Sequence, residues 1–129
     1  MSNQIVNELL DLPSAVLIGS QGLGLSKCDD YDIVITLEDF DSYKARNPRR
    51  DYNLVDMQRY FNIAALGNNF LLREYKVDVL IYETLPPVVD IAKVMKQMRK
   101  IPKPVLEVKA LRVRIFELLL LQHKEFERR

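Results

Sequence analysis

Between Gly19 and Ile33 the chain reads Gly19-Ser20-Gln21-Gly22-Leu23-Gly24-Leu25-Ser26-Lys27-Cys28-Asp29-Asp30-Tyr31-Asp32-Ile33. Side chains alternate along a strand, so Asp30 and Asp32, at i and i+2, share a face near the start of a β-type run. Two carboxylates aimed at one spot repel each other unless a cation sits between them. A hard divalent ion such as Mg²⁺ or Mn²⁺, which prefers carboxylate oxygen, is the natural counter-charge. Asp78 sits in Val77-Asp78-Val79, between apolar neighbours on a strand expected in the same sheet, and adds a third acid. Three carboxylates suit two metal ions roughly 3.5 to 4 Å apart, the arrangement that stabilises attacking and leaving oxygens in phosphoryl chemistry. Gly19-Ser20, with Gly22 and Gly24, offers the complementary half: backbone N–H groups free of side-chain bulk and a hydroxyl, suited to hold phosphates.

With these residues in place, the sequence resembles the nucleotidyltransferase superfamily of DNA polymerase beta, in particular its minimal single-domain members. The family pattern is an apolar residue, Gly, Ser or Gly, a spacer, then Asp, an apolar residue, Asp or Glu, and another apolar residue. Here Ile18-Gly19-Ser20 is followed by nine residues and then Asp30-Tyr31-Asp32-Ile33, and Val77-Asp78-Val79 resembles the third-carboxylate strand. The resemblance spans residues 15–82. It implies that Gly19 and Ser20 grip the β- and γ-phosphates of a nucleoside triphosphate and that Asp30 and Asp32 ligate both metal ions. It further implies that Asp78 is a metal ligand or general base beside the attacking hydroxyl. Two positions depart from the pattern: Tyr31 replaces an aliphatic residue, and Gln21 stands where many minimal members carry a basic residue near the triphosphate. Lys27 is the expected substitute for that charge.

Each piece alone has an ordinary explanation: Asp29-Asp30 as a turn, the glycines as a loop, Asp78 as an edge-strand charge. Their joint occurrence at this spacing points to the metal site. The loop is neither a dinucleotide fingerprint, which would need glycine at Lys27, nor a P-loop, since no Gly-Lys-Ser/Thr follows. His123 reads as a solvated or capping residue near a helix end, and Cys28 as a loop residue.

The elements that must position these groups follow from periodicity. Ile5, Val6, Leu9 and Leu10 behind a Ser2 cap predict a first helix that Pro13 stops. Ala15 to Ile18 predicts a strand running into the glycine loop, and Tyr31 to Leu37 a second strand. The charged segment Asp39 to Asp51 reads as a solvated excursion. Leu54, Met57, Phe61, Ala64 and Ala65 recur at helical spacing, with Gly67-Asn68-Asn69 ending that helix. Phe70 to Tyr82 predicts one long strand or a hairpin bending near Glu74 to Lys76, closed by Pro86-Pro87. Val88, Ile91, Met95 and Met98 form the apolar stripe of a basic amphipathic helix, and Pro104 to Phe126 reads as one long final helix. Its Leu118 to Leu121 run must be covered by the body of the domain or by another chain, and in the second case the last helix pairs copies into a homo-oligomer.

Whole-chain composition bounds the reading. The 129 residues, 48% of them apolar, suffice for one core, and 19 basic against 18 acidic residues give a net charge of +1. That balance excludes a polyanion-coating role. The charge is unevenly placed: residues 1–60 carry six basic and ten acidic side chains, residues 61–129 thirteen and eight. A basic stripe from Lys93 to Arg114 reads as a wet face or as a groove for RNA or a polyphosphate. A single cysteine allows no internal disulfide, and the longest apolar run is far short of the roughly 20 residues of a membrane span. With no signal-peptide pattern, a cytoplasmic protein without membrane association is expected.

The expectation is therefore a single α/β (α+β) domain over 1–129: a small mixed β-sheet flanked by helices in a nucleotidyltransferase fold, with a motif-bearing core at 15–82 and a basic helical part at 88–126. The expected activity is transfer of a nucleoside monophosphate from a triphosphate to a hydroxyl, releasing pyrophosphate, with two Mg²⁺ or Mn²⁺ ions. The acceptor is expected to be a tRNA or RNA end or a partner protein's side chain. The alternative is a non-catalytic module that keeps this fold and binds a partner protein, as an antitoxin does.

Overall fold

The structure, a computed structural model, describes residues 4–26, 30–48, 53–56, 68–72 and 76–123. Five strands form one mixed sheet. These are β1 (Val16–Ile18), β2 (Tyr31–Thr36), β3 (Asn53–Asp56), β4 (Asn68–Leu72) and β5 (Val77–Tyr82), in spatial order β1-β2-β5-β4-β3. β2 and β5 run parallel at the centre, while β1 on β2, β4 on β5 and β3 on β4 are antiparallel. The helices are α1 (Gln4–Leu10), the single turn α2 (Gly19–Gly22), α3 (Leu37–Arg46), α4 (Leu85–Met98), the short α5 (Lys103–Leu106) and α6 (Lys109–Leu120). The expected mixed sheet with flanking helices is present.

Strand alternation splits the core in two. Ile33 and Ile35 of β2 and Val77, Val79 and Ile81 of β5 pack on one face, with Ile5, Val6 and Leu9 of α1 and Phe40 and Tyr43 of α3. Val34, Leu80 and Tyr82 point the other way, into a cluster with Val88, Ile91, Val94, Met95 and Met98 of α4 and Phe116 and Leu120 of α6. The central strands are thus covered on both sides, which is why they read as near-continuous apolar runs.

Several sequence expectations are corrected. The segment read as a solvated excursion begins with α3, whose Phe40 and Tyr43, spaced i and i+3, are buried among exposed charges. Its start is fixed by Thr36, whose Oγ1 accepts from Asp39 N at 3.3 Å. Ser14 locks the same corner: its N–H and hydroxyl both donate to Asp39 Oδ2, and its Oγ accepts from Thr36 N. Leu54, the expected first residue of a helix, lies in β3; residues 57–67 of that reading fall outside the described residues. Asn68 and Asn69 do not end a helix but open β4, paired with Ile81 and Leu80 of β5. Of the two forms expected for Phe70 to Tyr82, the hairpin is found, with Lys76 at φ 51° just before β5. Pro86-Pro87 lies inside the first turn of α4, where a missing N–H leaves no hydrogen bond unmade.

The glycine segment starts as the helical turn α2, not as a loop. The expected continuous last helix is broken after Leu106. Val108 is extended (φ −81°, ψ 108°), and the Arg112 guanidinium donates from Nη1 to Leu106 O at 2.8 Å, satisfying a carbonyl that the end of α5 leaves open. Within Leu118 to Leu121, Leu120 is fully buried and Leu119 and Leu121 pack against the same cluster, whereas Leu118 is 46% exposed. No helix among the described residues is long and apolar enough to cross a membrane.

Candidate functional site

The parallel register of the two central strands sets Asp32 directly opposite Asp78. Both share the parity of Val34 and Leu80, so both carboxyls lie on the face covered by α4 and α6, at the end of the strands where that cover thins. On the other flank of β2, Ile18 of β1 pairs with Asp32, so the residue that follows β1 arrives beside the carboxyl. That residue is Gly19, at φ +67°; a Cβ built on it would stand 2.5 Å from Asp32 Oδ2. Only glycine permits both the left-handed backbone and this approach. Gly22 is equally constrained, since a Cβ there would collide with Leu17 O and approach Met95 Cε to 2.9 Å.

These groups open into a cleft of about 350 Å³. Gly19, Ser20 and Leu23 line it with Asp32 and Asp78, and Asp30 is exposed at its mouth. The last helical segment adds Glu107, Lys109, Arg112 and Phe116 to the lining. The structure therefore brings together five of the six residues expected from sequence; Lys27, with Cys28, lies outside the described residues. His123 follows α6, where its N–H donates to Leu120 O at 2.9 Å and its Nδ1 lies 3.5 Å from Asp90 Oδ1, a structural position away from the cleft.

Electrostatically the base of the cleft is strained. Burial, then the charges of Asp78 and Asp30, push Asp32 from the usual 3.8 up to about 7, with the Arg112 guanidinium pulling the other way. Asp78 is also raised, chiefly by burial and then by the Asp30 charge, while a hydrogen bond from Asp32 opposes the rise. A single proton held mainly on Asp32 and accepted by Asp78 accounts for both directions. When both groups are ionised, the buried Asp78 Oδ1 finds no donor among the described residues. An orphaned carboxylate oxygen beside a second carboxylate is a hard-oxygen donor set of the kind a divalent cation takes, so the residues fit a metal ion. Asp30, exposed at the mouth, does not close the set: among the described residues no three His, Cys, Asp or Glu side chains converge tightly enough to cage one.

The glycine segment is tied to the last third of the chain. Arg99 Nε donates to Gly22 O at 3.2 Å, Lys103 Nζ to Gly24 O at 3.3 Å, and Glu107 Oε1 accepts from both Ser26 N and Ser26 Oγ. The basic stripe seen in sequence thus divides. Lys93, Lys96 and Lys100 are exposed, Arg99 and Lys103 hold loop carbonyls, and Lys109 and Arg112 line the cleft. The last two, with Glu107, are the site residues that sequence reasoning did not single out. Their i, i+3 spacing puts Lys109 and Arg112 on one helix face, but only tertiary packing shows what that face meets. Comparison with known proteins adds no assignment: no family model, curated protein or solved structure matches this chain.

Proposed function

We propose that the cleft is the active centre of a metal-dependent nucleotidyltransferase, which moves a nucleoside monophosphate from a triphosphate to a hydroxyl and releases pyrophosphate. One observation carries this reading: of the Asp32–Asp78 register pair, Asp32 lies against Gly19, and Ser20 lines the same cleft. Two adjacent acids buried at this energetic disadvantage are hard to account for as scaffold, since apolar residues at both positions would complete the sheet face. Asp32 and Asp78 would hold Mg²⁺ or Mn²⁺, which when bound supplies charge neutralisation to the phosphates.

The chain's own residues account for the remaining chemistry. Gly19 and Ser20 offer a backbone edge free of side-chain bulk and a hydroxyl to the phosphate tail. The raised Asp78 carboxylate is a better base than an ordinary one and takes the proton of the acceptor hydroxyl. The acceptor oxygen then bonds to the α-phosphorus as the bond from phosphorus to the pyrophosphate oxygen breaks. A domain with a cleft this small leaves the acceptor, an RNA end or a protein side chain, to be carried by a separate macromolecule.

The test is incubation of the purified protein with each α-labelled triphosphate, Mg²⁺ or Mn²⁺, and a cell extract. Label is expected on RNA or protein, and it should disappear with Asp32→Asn or Asp78→Asn. Equal labelling by wild type and the variants, or none by either, overturns the enzyme. The partner-binding module then becomes the better account, and it has one observation of its own: Val105, Val108, Leu111 and Leu118 expose apolar surface on the final helical segment.

A further inference from the structure

The α6 lining of the cleft carries two cations, Lys109 and Arg112, that fold maintenance does not fully employ. Arg112 is half-buried, and its Nη1 donates to Leu106 O at 2.8 Å, which fixes the guanidinium plane at the cleft wall. A guanidinium has five N–H donors, and among the described residues this carbonyl is its one hydrogen-bond acceptor. Lys109, one turn earlier on the same face, is exposed at the cleft and meets no acceptor among the described residues. The neighbouring Arg99 and Lys103 each donate to a glycine-loop carbonyl and do not line the cleft. Gly19 and Ser20 line the same cleft, together with Asp30, Asp32 and Asp78, and the Arg112 charge is felt at Asp32. A ligand that meets Lys109 and Arg112 as well as the Gly19–Ser20 backbone carries negative charge where it meets the cations, and a divalent ion on the acids would offset their repulsion. A chain of linked phosphates satisfies this, and a forked guanidinium is the side chain best shaped to bind one.

We propose that Lys109 and Arg112 bind the phosphate chain of a nucleoside polyphosphate, making α6 the anion-recognising wall of the cleft. This rests on the reading of the cleft as a nucleotidyltransferase site and adds to it the residues that select a polyphosphate over a monophosphate.

The probe is inorganic tripolyphosphate, titrated calorimetrically into the full chain in Mg²⁺ buffer, with orthophosphate as the short comparison. Wild type is expected to bind tripolyphosphate more tightly than orthophosphate, and Lys109→Gln/Arg112→Gln to weaken tripolyphosphate at least about tenfold. Arg114→Gln removes the same kind of charge from α6 at an exposed position outside the cleft lining, and should leave binding within about twofold. Arg112→Lys keeps the charge but loses the fork, and should fall between. Circular dichroism checks folding. If the Arg112 variants fail to fold, Lys109→Glu, at an exposed position, carries the test alone. Unchanged binding by a folded double variant overturns the proposal, as does an equal loss with Arg114→Gln, which would reduce the effect to long-range charge. The two readings fail separately: label transfer with binding unaffected by Lys109 and Arg112 removes only this inference. Tripolyphosphate binding that depends on them, with no transfer of label from any triphosphate, removes only the transferase.

Discussion

Replacing Asp32 with Asn should make the protein more stable at neutral pH while abolishing its proposed chemistry. Asp32 rises from 3.8 to about 7, so holding it ionised in the fold costs about 4 kcal/mol at about 1.36 kcal/mol per pH unit. The sign follows from proton counting. Below about pH 4 the carboxyl is protonated in both folded and unfolded chains and nothing is lost. As pH rises to about 7 the unfolded chain releases a proton that the folded one still holds, so stability falls through this window. Above about pH 7 the full cost is present and the contribution is flat. Asn carries no charge and can still donate to Asp78, so Asp32→Asn should match wild type near about pH 4 and exceed it by up to about 4 kcal/mol near about pH 8. Urea denaturation of both proteins in chelator across that range provides the measurement, and the difference between the two curves cancels the other titrating groups. A difference that does not grow with pH, or a variant less stable than wild type near about pH 8, would refute the account of a buried, mutually repelling pair. Added Mg²⁺ should stabilise wild type and leave Asp32→Asn unmoved, since a cation that binds only the folded site adds its binding energy to folding.

Gly19→Ala and Gly24→Ala should part company. Both replace a glycine with φ above +60°, at a strain of about 1–2 kcal/mol, but a Cβ at Gly24 meets nothing nearer than Lys103 Nζ at 3.9 Å, whereas one at Gly19 displaces the Asp32 carboxyl. Denaturation should show the larger loss at Gly19, and label transfer should fail there alone. Asp39→Ala should cost about 1–3 kcal/mol by leaving Ser14 and the start of α3 without their acceptor, measured by chemical denaturation. Leu120→Ala should cost about 2–5 kcal/mol, while Leu118→Asp on the exposed side of the same helix should stay within about 0.5 kcal/mol if the protein is a monomer in light scattering.

The carboxylate pair was legible because it depends only on strand parity and apolar neighbours: Asp32 precedes Ile33 to Ile35, Asp78 sits between Val77 and Val79, and the period of two fixes their face. The basic stripe was visible as composition, yet nothing local separates Lys93, which faces solvent, from Arg112, which faces the cleft. α3 was missed because its buried Phe40 and Tyr43 stand among six charged or polar neighbours, although Thr36 three residues before Asp39 was a readable start signal. The break between α5 and α6 has no glycine or proline to announce it. Contacts that hold it come from elsewhere, with Glu107 drawn to Ser26 and Arg112 drawn back to Leu106. Tertiary hydrogen bonds of this kind override a helical pattern without leaving a mark in the local sequence.

The adjacency of β2 and β5 also bears on the order in which the molecule assembles. Parallel neighbours cannot be joined by a tight turn, and here α3, β3 and β4 all intervene in the chain. A nascent chain that has emerged only as far as β2 holds the glycine corner and one acid of the pair, without its mate. The carboxylate pair comes into being with the longest-range pairing of the sheet, a slow class of contact. Because that same pairing forces the two negative charges together, mild acid should hasten refolding.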